Sequence, residues 1–143
     1  MIKKHSFFKG CMLVFSIVCI NYFIVACSNQ NNIKETVPKY IVSADTILLE
    51  FTTNEETANT KYIHKVIEVV GKIKEVTSLN NRKTIILQTN TNSGIICDVN
   101  DSDLKLVNDL KKNQLIHIKG ICKGYLKDVI LLNCFIDITN QHE

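Results

Sequence analysis

The chain has 143 residues, 45% of them hydrophobic and 22% charged, which excludes collagen-like and disordered chains and leaves room for one domain. Its 17 Lys and Arg against 14 Asp and Glu give a formal charge of +3, and Lys3, Lys4 and Lys9 supply the whole of that excess. Behind Ala26 the chain is formally neutral, which argues against a dedicated nucleic-acid binder, since such domains carry a marked basic excess.

Residues 1–26 read as a cleavable signal peptide. Met1 to Gly10 holds the positive charge, and Cys11 to Val25 is an apolar run interrupted by Ser16, Asn21 and Tyr22, short for a membrane-spanning helix. The run ends in Ile24-Val25-Ala26-Cys27, which resembles the lipobox of bacterial lipoproteins. Small Ala26 suits a peptidase subsite, and the Cys27 thiol is the nucleophile that accepts diacylglycerol. Acyl chains such as palmitate on Cys27 then suffice for stable anchoring. The other reading is an uncleaved anchor whose cysteine is incidental. The expected location is the bacterial cell membrane or outer membrane, lipid-anchored and facing the periplasm, because acidic residues do not crowd the positions after Cys27. Residues 27–42 are expected to be the lipidated cysteine and a flexible tether, being rich in Ser, Asn and Gln and holding Pro38. Residues 43–143 form the domain.

Ser43-Ala44-Asp45 is a helix start, with Ser43 able to cap. Ile47, Leu48, Phe51 and Ala58 then make an apolar stripe that predicts a helix over 44–59. From Val66 the period changes to two. The first strand, 66–76, puts Ile67, Val69, Gly71 and Ile73 on one face, with Gly71 a candidate bend. Residues 78–81 turn into a second strand over 83–90, and 91–94 turn into a third over 95–99, with Ile95, Cys97 and Val99 on one side. Asp101-Ser102-Asp103 opens a short helix, lined by Leu104, Val107 and Leu110, that is expected to run to Lys112. A fourth strand, 115–122, points Ile116, Ile118, Gly120 and Cys122 one way. In the fifth, 129–138, alternation points Ile130, Leu132, Cys134, Ile136 and Ile138 inward.

Five strands with one short helix between the third and fourth is the element order of an OB-fold, a mainly β, five-stranded Greek-key barrel, here with an added N-terminal helix. Particular residues add to this. Ser43-Ala44-Asp45, Leu48, Phe51, Asn54-Glu55, Ala58-Asn59 and Lys61-Tyr62 run into Lys65 to Val69 and Gly71. Cys97, Gly120, Cys122, Gly124, Asp128-Val129 and Leu132-Asn133-Cys134 follow. Over 43–138 this pattern resembles the tRNA-anticodon-binding-like OB-fold lipoproteins of Bacteroidetes. The resemblance implies an OB barrel with a helix packed beside it and implies little biochemistry, since fold does not fix function.

Three cysteines remain behind Cys27. Cys97 and Cys134 fall on strands that neighbour each other in an OB barrel and are a candidate disulfide in an oxidising compartment; the alternative is that Cys97, Cys122 and Cys134 are all small buried hydrophobes. Metal-ligand spacing is missing: there is no CxxC and no paired histidine, so no metal and no cofactor is expected. Arg82 and Lys83 between strands one and two, with Lys123, Tyr125 and Lys127 between strands four and five, form a candidate ligand-binding rim, since OB-folds bind with those loops and the face of strands two and three. That face lacks the aromatic platforms of single-strand binders. Glu68, Glu75, Asp98 and Asp128 are scattered and read as solvating charges. No catalytic constellation is present, so the expectation is a membrane-anchored binding module for a protein or small ligand of the envelope, not an enzyme, with oligonucleotide binding as the alternative.

Overall fold

The computed structural model describes residues 32–80 and 82–137; the signal segment, Cys27, Asn81 and Ile138 lie outside them. Six strands are present: β1 (Ile41–Ser43), β2 (Val66–Leu79), β3 (Arg82–Gln88), β4 (Gly94–Val99), β5 (Leu115–Tyr125) and β6 (Val129–Asp137). β2 is shared. Its first half pairs antiparallel with β5, Val66 opposite Ile121 through Lys72 opposite Leu115, and its second half pairs with β3. β3 pairs antiparallel with β4, β4 parallel with β6, and β6 antiparallel with β5. The five strands β2-β3-β4-β6-β5 thus close on themselves, the barrel of an OB-fold.

Closure requires bends. The residue that interrupts the β2–β3 register is Lys74, between the Ile73–Leu87 and Glu75–Ile86 pairs, rather than Gly71. Gly71 serves close packing instead: a Cβ there would stand 3.0 Å from Ala44 Cβ and 3.2 Å from Leu87 Cδ1. Ile67, Val69 and Ile73 are buried as the alternation predicts, together with Ile85, Leu87, Ile95, Ile116 and Ile118.

Both barrel ends are plugged. At one, Ser43 Oγ accepts the Thr46 amide at 3.0 Å and starts a helix. The expected single helix is two, α2 (Ala44–Thr53) and α3 (Glu55–Tyr62). Asn54 breaks them: its backbone is extended at φ −152°, ψ 91°, and its Oδ1 accepts the Thr57 amide as the cap of α3. Ile47, Leu48, Phe51, Ala58 and Tyr62 are buried in the core from these two helices. At the other end a 3-10 turn, Asp101–Asp103, leads into a single helical turn, Leu104–Val107, which we call α4. It is shorter than expected. Lys111 donates its amide to Gln114 Oε1, and Asn113 takes a positive φ of 67° while its amide binds the Ile73 carbonyl. Those bonds tie the chain to β2 where a longer helix would have run.

β6 differs from its expected phase in the first half. Val129 and Leu131 point inward, Ile130 and Leu132 are half-buried on the outside, and Cys134 and Ile136 are inward again. Asn133 is an extra residue: two residues of β6 lie between the partners of Lys119 and Ile121, which have one residue between them. Its φ of 52° absorbs the kink, as a bulge with a left-handed residue does.

The packed chain also begins earlier than Ser43. A short helix, α1 (Asn32–Glu35), lies against β5 and β6 with Ile33 buried. Its Lys34 carbonyl accepts from Lys119 Nζ at 3.2 Å, and Lys34 Nζ stands 3.6 Å from Asp103. The Lys39 amide then binds the Val66 carbonyl, Tyr40 accepts from the Glu68 amide, and β1 runs parallel to β2. From residue 32 the expected tether is a strap folded over the β2–β5 side of the barrel.

Candidate functional site

OB barrels present their second and third strands, here β3 and β4, to ligands. With Ile85, Leu87, Ile95, Cys97 and Val99 turned inward, the outer face holds Thr84, Ile86, Gln88, Ile96 and Asp98. The register sets Ile86 beside Ile96, and Ile96 beside Ile130 of β6. Three β-branched side chains, each half-buried, therefore form an apolar row across the middle of the face. The bulge at Asn133 creates this row, because it lets β6 point Ile130 outward while Cys134 and Ile136 stay inside. Strict alternation hid it.

The rim residues fall into two groups at the two ends of the strands, on either side of that row. Asp98 marks one end and Gly94 the other, four strand residues or roughly 13 Å apart. At the first end the Arg82 guanidinium pairs with Asp98 at 3.2 Å. Lys83 Nζ binds the Asn108 amide oxygen and lies 3.4 Å from the Leu104 carbonyl, tying β3 to α4. At the second end Lys123 is the extra residue of a β5 bulge, and it and Lys127 are exposed. Tyr125 turns away from the face: its ring stacks on Phe51 with centroids 5.8 Å apart. β3 and β4 contain no aromatic residue, so nothing on them offers a base a stacking platform. The structure sets Arg82 on one side of the apolar row and the exposed Lys123 and Lys127 on the other, turns Lys83 to α4, and removes Tyr125 from the set.

Two of the carboxylates read as solvating charges are structural. Asp128 Oδ1 accepts the Gly94 amide at 2.6 Å, pinning the β5–β6 turn to the start of β4. Glu68 is 3% exposed and shares a 2.8 Å hydrogen bond with His117 Nδ1 under the strap. Alternation alone places Glu68 on an outer face; the strap that buries it comes from a segment read as tether. A further feature, absent from the expected rim, is a polar cleft of about 290 Å³ beside Arg82, lined by Asn80, Asp98, Asn100, Asp101 and Asn133. Two of its asparagines, Asn80 and Asn133, have positive φ, and that pair of turn formers is the signal a sequence could have offered.

Cys97, Cys122 and Cys134 are buried free thiols. Cys97 stands opposite Leu131 and Cys134 opposite Val99, so the first and last meet diagonally across β4 and β6. Burial pushes the Cys134 thiol well above its ordinary range, with a hydrogen bond to Cys97 adding to it, and burial also raises Cys122. Protonated, inward thiols of this kind pack as apolar groups. Among the described residues no three His, Cys, Asp or Glu side chains converge on a point where a metal would sit. Cys27 lies outside them.

The model of the tRNA_anti-like family matches residues 5–136. The chain belongs to the tRNA_anti-like family. This is a family of OB-fold, nucleic-acid-binding-like domains, of a binding type rather than an enzyme type. Among solved structures, the tRNA_anti-like barrel is similar to a protein of Klebsiella pneumoniae subsp. pneumoniae MGH 78578 inferred to be a nucleic acid-binding lipoprotein. The two share 14% identity with a TM-score of 0.57, over 78% of this chain and 99% of that one. At this identity the likeness shows the fold. More distant are an OBody bound to hen egg-white lysozyme, 15% identical over 54% of this chain and 83% of that one, with a TM-score of 0.44. A replication factor A related protein from Methanobacterium thermoautotrophicum is 12% identical over 57% and 86%, with a TM-score of 0.41. No curated protein matches the chain.

Proposed function

We propose that the protein is a bacterial lipoprotein, acylated at Cys27 and held on the periplasmic side of the envelope, whose barrel binds a protein partner through the outer face of β3, β4 and β6. The observation that carries the binding half is the Ile86–Ile96–Ile130 row. Apolar side chains at the centre of a polar rim are what protein interfaces use for their energy, while the bracketing charges set orientation. A nucleic-acid face of the same fold would put stacking rings there, and Tyr125 is committed to Phe51. Support for the anchor comes from the Ile24-to-Cys27 sequence and from the lipoprotein class inferred for the Klebsiella relative.

The family's nucleic-acid-binding-like character and the exposed Arg82, Lys123 and Lys127 favour oligonucleotides as the second reading. One pair of measurements separates them. Fluorescence anisotropy with short single-stranded DNA and RNA should show no saturable binding at low salt, where phosphate attraction is greatest. A photo-crosslinker placed at Ile96 should capture a protein from envelopes, and capture should fall at least severalfold with Ile86→Lys. Tight oligonucleotide binding that weakens steeply with salt, coupled with no crosslink, would replace the protein reading by the nucleic-acid one.

A further inference from the structure

The strap leading away from Cys27 carries large apolar side chains that none of the described residues covers. Val37 is 85% exposed and Ile41 63% exposed, while Ile33 of the same segment is buried. Cations surround them. Lys34 and Lys39 are exposed on the strap, Lys119 reaches up to the Lys34 carbonyl, and Lys65 Nζ lies 5.9 Å from the centre of the Tyr40 ring. Glu68 beneath the strap is buried with His117, which leaves Glu35 as the strap's one acidic residue. Apolar side chains interleaved with lysine and tyrosine are the composition of a segment that rests in a lipid headgroup layer.

Chain length fixes what this segment can reach. Only residues 28–31 separate Cys27 from Asn32, and five fully extended steps cover roughly 17 Å. A domain tethered that closely meets its own bilayer at high effective concentration, so weak attractions per residue are enough to orient it. We propose that the strap face is a membrane-contact surface that lies on anionic phospholipid, with Val37 and Ile41 at the headgroup boundary and Lys34 and Lys39 among the phosphates. This rests on acylation of Cys27.

The test uses the whole protein, purified with its lipid and reconstituted into phosphatidylcholine vesicles with or without phosphatidylglycerol. Intact mass first reads the acyl chains. An environment-sensitive fluorophore is then placed at Val37→Cys or, as a control, at Leu79→Cys, a site 75% exposed at the far end of β2. Expected are a blue shift at 37 and quenching by lipid-borne nitroxide severalfold stronger than at 79, lost when Lys34→Glu and Lys39→Glu are combined. An acylated protein whose two probes are quenched equally would overturn the contact surface and leave the anchor standing. Protection of position 37 by a crosslinked protein rather than by lipid would do the same. A mass without acyl chains would overturn the anchor itself, and this surface with it.

Discussion

A Cβ built on Gly120 would stand 2.6 Å from Cys134 Sγ and 3.2 Å from the Leu132 carbonyl oxygen, so β5 gives up a side chain to make room for a thiol from β6. Gly120→Ala should therefore destabilise the fold by about 1–3 kcal/mol, the usual range for overpacking. Cys134→Ala in the same chain should recover part of that loss. A double-mutant cycle by urea denaturation measures the coupling, and strictly additive effects would mean that the two sites do not touch. The inward direction of both residues was half legible in the sequence. Alternation placed Gly120 and Cys134 correctly, and it failed one step earlier in β6, at Leu132. Glu68 shows the other limit: a carboxylate on the outer face of β2 reads as solvated, because nothing in its own strand announces that residues 39–41 pair alongside it and that His117 meets it.

Asn54 acts at the scale of an element. It ends α2, whose Glu50 carbonyl accepts its amide, and its side chain starts α3. Replacing it with alanine removes the cap and should cost about 1 kcal/mol, while glycine should cost only a few tenths. Guanidinium unfolding of the two variants checks the order, and an Ala variant as stable as the parent would deny the cap any part. The order of strands was legible because buried β-branched residues alternate strongly over β2 to β5, and that alone gave the barrel. The break in the helix and the bulge in β6 were not. Both depend on an asparagine, which is ordinary in loops and caps and announces neither its φ nor its partner. Loop position suggested the rim cations, yet Arg82 and Lys83 begin β3 and Lys123 lies in β5, and the isoleucine row required the register.

For the whole molecule, pH reports the buried and paired groups together. Glu50 accepts from Lys61 Nζ at 2.8 Å and from Tyr62 Oη at 3.0 Å. The bonds to Glu50 and Tyr62 raise the Lys61 ammonium above its ordinary range, burial raises the Tyr62 phenol, and burial raises the Cys122 and Cys134 thiols. Each group holds its proton more firmly folded than unfolded. The unfolded chain therefore loses protons first as pH climbs, and stability falls through that range. Unfolding free energy should be flat with respect to these groups below the ordinary thiol value of 9.0, decline above it, and decline more steeply past the ordinary tyrosine value of 10.0. Tyr62→Phe should flatten the steeper part. A curve level through the ordinary tyrosine value would contradict the assignment.

The closed order of the barrel has a consequence for encounters between molecules. In the ring β2-β3-β4-β6-β5, the strap pairs with β2 and lays α1 on β5 and β6, and the β2–β5 pair at its middle lies across the barrel from β4, the strand at the centre of the isoleucine row. A domain resting on its strap therefore turns that row toward the aqueous side. Two copies rooted in one leaflet would stand like neighbouring tiles, patterned faces up, unable to mate with each other. Whatever covers the row must descend onto it from the compartment above or overhang it from a taller neighbour in the same membrane.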